Sequence, residues 1–113
     1  MIMAEDKEKQ TADMLFMQNS AKEFQDKMQE LQNKEYTGKV HGIYITMKGS
    51  MEIIDVHIDQ NYYETASKGS IEMDVKKCVN NIEQSIGYDV NEARERLNKD
   101  MERIRVNNTN GDY

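Results

Sequence analysis

Proline is absent from all 113 residues, so that hard stop interrupts no helix pattern in this chain. Its one cysteine, Cys78, cannot close an internal disulfide, which fits a reducing compartment. Positive charge is in deficit, since 15 Lys and Arg against 21 Asp and Glu leave a net charge of −6. No third of the chain turns basic: residues 1–35 carry five Lys against eight acids, residues 36–70 three against four, and residues 71–113 seven basic against nine acidic. A nonspecific polyanion binder has a global positive field, so any nucleic-acid surface here has to be a local patch. No apolar run approaches the roughly 20 residues of a membrane span. The first residues, Met1-Ile2-Met3-Ala4-Glu5-Asp6-Lys7, lack the basic start and apolar centre of a secretory signal. A soluble cytoplasmic protein is expected. Phosphate-loop, nucleophile-elbow, paired-cysteine and zinc-protease patterns are missing as well. The residues offer no set of nucleophile, base and orienting group, and neither catalytic residues nor a cofactor is expected.

What is present begins with helix periodicity. Residues 1–10 are charged and aperiodic and read as a flexible lead-in. From Thr11, a suitable N-cap, Met14, Met17, Ala21, Phe24, Met28 and Leu31 recur at spacings of three and four, the rhythm of a helix burying one narrow seam. Leu15 and Phe16 lie off that seam, an apolar excess that marks contact with a second surface. The pattern ends near Asn33 to Glu35.

Alternation with period two follows. Ile43, Ile45 and Met47 alternate with Tyr44, Thr46 and Lys48, and Ile54, Val56 and Ile58 with Asp55, His57 and Asp59. Lys48-Gly49-Ser50 supplies a tight turn between the two runs. Gly38 and Gly42 mark a bulge or bend in a shorter first strand. One sheet face is apolar and the other wet, so the helices have to cover the first.

Gln60 to Ser70 reads as a polar loop with Ser70 capping a second helix. Val75, Cys78, Val79, Ile82, Ile86, Val90, Ala93, Leu97, Met101 and Ile104 then recur at helical spacing. Gly87 costs that helix about 1 kcal/mol relative to alanine. Asp89 and Glu92 resemble a capping box, which leaves one long helix, kinked or straight, and a break at Gly87-Tyr88 both open. The expected organisation is a single domain over 11–106 followed by a disordered tail, 107–113. A helix, a thin three-stranded antiparallel sheet and another helix give an α+β chain too small to close a core alone, which points to a dimer.

In order and spacing, several segments resemble the YbaB/EbfC family of bacterial nucleoid-associated proteins. They are Met28-Gln29-Glu30-Leu31-Gln32, Tyr36-Thr37-Gly38, the Lys48-Gly49 turn and the strand end Val56-His57-Ile58-Asp59, and the likeness runs from about Met14 to Ile104. The resemblance implies a symmetric homodimer with helices projecting as tweezer arms around double-stranded DNA. It also implies a nucleoid location and a role in nucleoid organisation or gene expression without catalysis, and no membrane or small-molecule substrate. Met14, Leu15, Phe16, Met17, Phe24, Ile54 and Val56 are then the candidate dimer interface. Lys34, Lys39, Arg94, Arg96, Lys99, Arg103 and Arg105 are the candidate DNA contacts.

Each functional residue has a plainer reading beside it. Arg96, Lys99 and Arg103 share a helix face and can track phosphates. Pairing such as Glu92–Arg96 and Asp100–Arg103 would instead neutralise them and leave an ordinary solvated surface. Asp55, His57 and Asp59 on one face of a strand suggest a metal or acid–base site, but neighbours about 7 Å apart are too widely spaced to share an ion, and a solvated sheet face is favoured. His41 reads as an isolated structural residue, and Cys78 as a buried inert thiol. The nine methionines favour core filling over a deformable groove. The rival to DNA binding is an acidic dimer that captures a partner protein through its apolar, Met-rich helix surface.

Overall fold

The computed structural model describes residues 2–110, with side chains from 12 to 104. Helix α1 spans Ile2–Asn33, strands β1, β2 and β3 span Glu35–Val40, Ile43–Lys48 and Ile53–Ile58, helix α2 spans Gln60–Thr65 and helix α3 spans Lys68–Asn110. The arrangement is α+β, as anticipated. One compact unit is Gln29–Val90; a second joins Met1–Met28 to Asn91–Tyr113.

In the first unit, the antiparallel sheet has the order β1-β2-β3. Strand β2 is central and strictly alternating, with Ile43, Ile45 and Met47 only 0%, 1% and 2% exposed. They form one cluster with Tyr36 of β1 and with Cys78, Ile82 and Ile86 of α3. Each fully buried isoleucine there contributes about 1.5–3 kcal/mol. The stripe read from Val75 to Val90 is therefore the helix face that covers the sheet.

That cover stops short of β3. Ile58 pairs with Ile43, Val56 with Ile45 and Ile53 with Met47. Ile58, Val56 and Ile53 nonetheless remain 36%, 52% and 50% exposed. One side of β3 is an open edge, and its apolar residues overhang the helix layer.

Gly38 acts differently from expectation. Pairing of β1 with β2 is unbroken from Glu35↔Lys48 to Val40↔Ile43, so no bulge occurs at Gly38 or Gly42. A Cβ on Gly38 would sit 2.8 Å from Ile82 Cγ1 and 3.1 Å from Cys78 Sγ, so its bareness lets α3 lie close on the strand. His41-Gly42 forms the two-residue turn between β1 and β2, with His41 at φ 51°. The irregularity lies between β2 and β3, where Ile54 is the extra residue between the pairs Met47↔Ile53 and Thr46↔Asp55. The β2–β3 connection contains the tight turn expected at Lys48-Gly49-Ser50, closed by Met51 N–H donating to Lys48 O at 2.8 Å. It runs from Gly49 to Glu52, and Met51 carries the positive φ of 74°. Gly49 answers a steric demand: a Cβ there would fall 1.7 Å from the Leu31 carbonyl oxygen. The loop is pinned to the end of α1 by Gly49 N–H to Lys34 O (2.9 Å) and Ser50 N–H to Gln32 O (3.1 Å).

Helix boundaries shift too. α1 starts at Ile2 rather than at Thr11, because residues 2–10 contain neither glycine nor proline and are rich in helix formers. The segment read as a polar loop contains α2. Ser67, not Ser70, caps α3, its Oγ accepting the Ser70 N–H at 3.1 Å. α3 runs through Gly87 without a break and on to Asn110, past the start of the anticipated tail; residues 111–113 lie outside the described chain.

In the second unit, the less exposed positions of α3 are Ala93, Leu97, Asp100, Met101 and Ile104, in keeping with the stripe read from sequence. The less exposed face of α1 carries Asp13, Phe16, Ser20 and Phe24. Ser20 and Ile104 are only 5% and 7% exposed, a degree of burial that a bare helix cannot provide. The expected α1 seam holds at Phe24, Met28 and Leu31, while its first part is rotated by one position, from Met14, Met17 and Ala21 onto Phe16 and Ser20. Met14, Leu15 and Met17 stay 60%, 54% and 43% exposed.

Candidate nucleic-acid interface

The basic residues singled out from sequence fall into three environments. Arg94, Arg96, Lys99 and Arg103 project from the distal half of α3 and are exposed. Spacings of three and four put Arg96, Lys99 and Arg103 on one face, and Arg94 lies on another flank. Among the described residues, none of these four has an acidic partner within ion-pair distance. The anticipated pairs Glu92–Arg96 and Asp100–Arg103 are not formed. On an exposed helix such a pair gains only about 0.3–0.5 kcal/mol, against the entropy of fixing two long side chains. Unpaired, these cations keep their donors available for phosphate oxygens. The side chain of Arg105 lies outside the described residues.

Lys34 is used otherwise. Its Nζ stands 3.1 Å from Asp89 Oδ2 and 4.9 Å above the Tyr36 ring. Tyr36 donates its hydroxyl to the same Asp89 oxygen at 2.6 Å. Burial first, then this bond and the nearby charge, push the Tyr36 hydroxyl up to about 12. The group fastens the α1–β1 junction to α3. It sits in a groove of about 640 Å³ with Asn81, Gln84, Ser85 and Tyr88, where the Asp89 carboxylate disfavours an anionic ligand. Lys34, with its side chain 52% exposed, thus holds a structural ion pair.

Lys39 occupies the third environment, the outward face of the sheet, with Nζ 5.2 Å from the Tyr44 ring centre. Asp55 and His57 share this face on β3. Asp59 lies beyond the strand, at the N-terminus of α2, where its backbone N–H donates to Gly42 O at 2.8 Å. Among the described residues no three His, Cys, Asp or Glu side chains are grouped to hold a metal, and no helix is long and apolar enough to cross a membrane.

One polar cluster escaped the sequence reading. Asp74 is 5% exposed on the covered face of α3. Its Oδ2 accepts the Tyr62 hydroxyl from α2 and lies 2.9 Å from His41 Nδ1 at the β1–β2 turn. The bond from Tyr62, then the one from His41, hold the Asp74 carboxyl below its ordinary range, and the same contact pushes Tyr62 up to about 12. The available signal was position: Asp74 falls on the stripe of Ile71, Val75 and Cys78, and a carboxylate on a covered face requires partners. Cys78 is fully buried, and that burial pushes its thiol up, as an inert cysteine requires.

The proposed interface residues are divided. Met14, Leu15, Met17, Ile54 and Val56 are exposed, whereas Phe16 and Phe24 are half-buried on the covered face of α1.

The sequence profile of the YbaB/EbfC DNA-binding family matches residues 8–104. No curated protein matches the chain. Among solved structures, uncharacterized protein HP0035 from Helicobacter pylori is similar, with a TM-score of 0.53 at 20% identity, over 74% of this chain and 86% of that one. At that identity the likeness shows the fold.

Proposed function

We propose that this chain, which belongs to the YbaB/EbfC DNA-binding family, binds double-stranded DNA as a non-catalytic homodimer in the bacterial nucleoid, where it influences nucleoid organisation or gene expression. The observation that carries this reading is the unpaired stripe Arg96–Lys99–Arg103, exposed on α3 of an otherwise acidic molecule. Phosphate contacts of this kind fix position on a duplex and carry little sequence information. A second copy gives two stripes related by a two-fold axis, which suits the symmetry of a duplex site.

A mobility-shift titration at several salt concentrations tests the proposal. With about six phosphates neutralised by two stripes, log affinity falls linearly with log salt at a slope near −5. Replacing Arg96, Lys99 and Arg103 by Ala flattens that slope and weakens binding alike on all sequences. Duplex that stays unretained at micromolar protein and low salt would sink the reading.

The exposure of Met14, Leu15 and Met17 favours a second reading, capture of a partner protein through α1. Under it, Leu15→Ala with Phe16→Ala abolishes capture, and the arginine substitutions change nothing.

A further inference from the structure

We propose that the outward face of the sheet is a stacking platform for single-stranded nucleic acid, centred on Tyr44 and His57. The strand register sets Lys39, Tyr44 and His57 side by side across all three strands. The Tyr44 and His57 rings lie 5.7 Å apart at 51°, and Lys39 stands over the other side of the row, 5.2 Å from the Tyr44 ring centre. In the adjacent row the Thr37 and Thr46 hydroxyls are 3.0 Å apart, and Lys48 lies on the same face one row further on. α3 packs against the opposite side of the sheet. On this side Thr37, Lys39, Asp55 and His57 are exposed, and Tyr44 and Thr46 half-buried.

Two π surfaces flanked by cations and hydroxyls suit an unpaired base better than a duplex, whose bases are hidden in their own stack. Stacking also suits this chain's charge. It draws on few phosphate contacts, so Asp55 and Glu35 on the same face and the net charge of −6 cost it less than they would a purely electrostatic site. Every base has a π face, so the platform tolerates any sequence. The platform uses none of the α3 stripe's residues, and either can fail without the other.

A plain cross-strand pair that only steadies the sheet is the competing account, and the test separates the two. Anisotropy of labelled oligo-dT and oligo-rU of roughly 12 nucleotides, within the usual site sizes, is measured on the full chain beside a duplex of equal length. Tyr44→Ala and His57→Ala each weaken single-strand binding about tenfold and leave duplex affinity within about twofold, whereas Tyr44→Phe binds like the parent. The chain has no tryptophan, so Tyr44→Trp supplies a single reporter whose emission is quenched when an oligonucleotide stacks on it. Tighter binding of oligo-rU identifies RNA as the ligand and tighter oligo-dT identifies DNA; both support the platform. It is overturned if neither strand is retained, if the alanine variants bind like the parent while melting at lower temperature, or if the tryptophan emission is unchanged.

Discussion

Asp74 concentrates the residue-scale energetics, because a carboxylate on a covered helix face is tolerated only through the donors aimed at it. Its folded-state value is depressed. Its stabilising contribution is therefore complete above its unfolded value of about 4 and is lost as pH falls through the depressed one. Tyr36 and Tyr62 are raised from 10.0 to about 12; their contribution is present below about pH 10 and disappears as pH rises through 12. In urea titrations, Asp74→Asn should lower the midpoint most between pH 5 and 9, and the gap should close below about pH 4 as the parent loses the same carboxylate. A gap constant from pH 7 to pH 3 would contradict the cluster. His41 was read as structural, and it is, but its partners come from 21 and 33 residues away along the chain, at Tyr62 and Asp74.

Elements were legible where a pattern was long and local. Both long helices, the two alternating strands and the α3 stripe followed from periodicity, since spacing alone fixes which side chains share a face. The first part of the α1 seam was misplaced by one position because the apolar residues there, Met14, Leu15, Phe16 and Met17, surround the helix, and only the facing surface selects among them; from Phe24 to Leu31 the seam lies where the spacing puts it. At Gly87 the capping-box signal left a break open, and the helix continues through without one. A Cβ at that position meets nothing within 4 Å and its φ is not positive, so Gly87→Ala should stabilise the chain by about 1 kcal/mol, a rise of roughly 4 °C in Tm. An unchanged or lowered Tm in a calorimetric scan would mean that the glycine serves a conformation other than the continuous helix.

For the whole molecule, the decisive feature is the overhang of β3. Isoleucine and valine left half-exposed beside fully buried partners on β2 are what a protomer presents when a second copy completes its core. Its free edge also exposes unpaired backbone groups that a neighbour can satisfy. In sedimentation at tens of micromolar, the parent should run at twice the chain mass, and Ile54→Lys combined with Val56→Lys should shift it to a single chain. A parent that stays monomeric there would overturn the proposed homodimer and, with it, the second of the two proposed stripes.

The sequence by itself determined the fold class, the family, the acidic balance and the covered face of α3, because each depends on composition or on spacing along one chain. Only the tertiary structure decided that Lys34 is fastened to Asp89 while Arg96, Lys99 and Arg103 stand unpaired, that Gly38 serves close approach instead of a bulge, and that the Gly49 turn also lies against the end of α1. It alone lined up Lys39, Tyr44 and His57. Those outcomes turn on distances between residues far apart in sequence, which are set by how strands register and how a helix lands on a sheet.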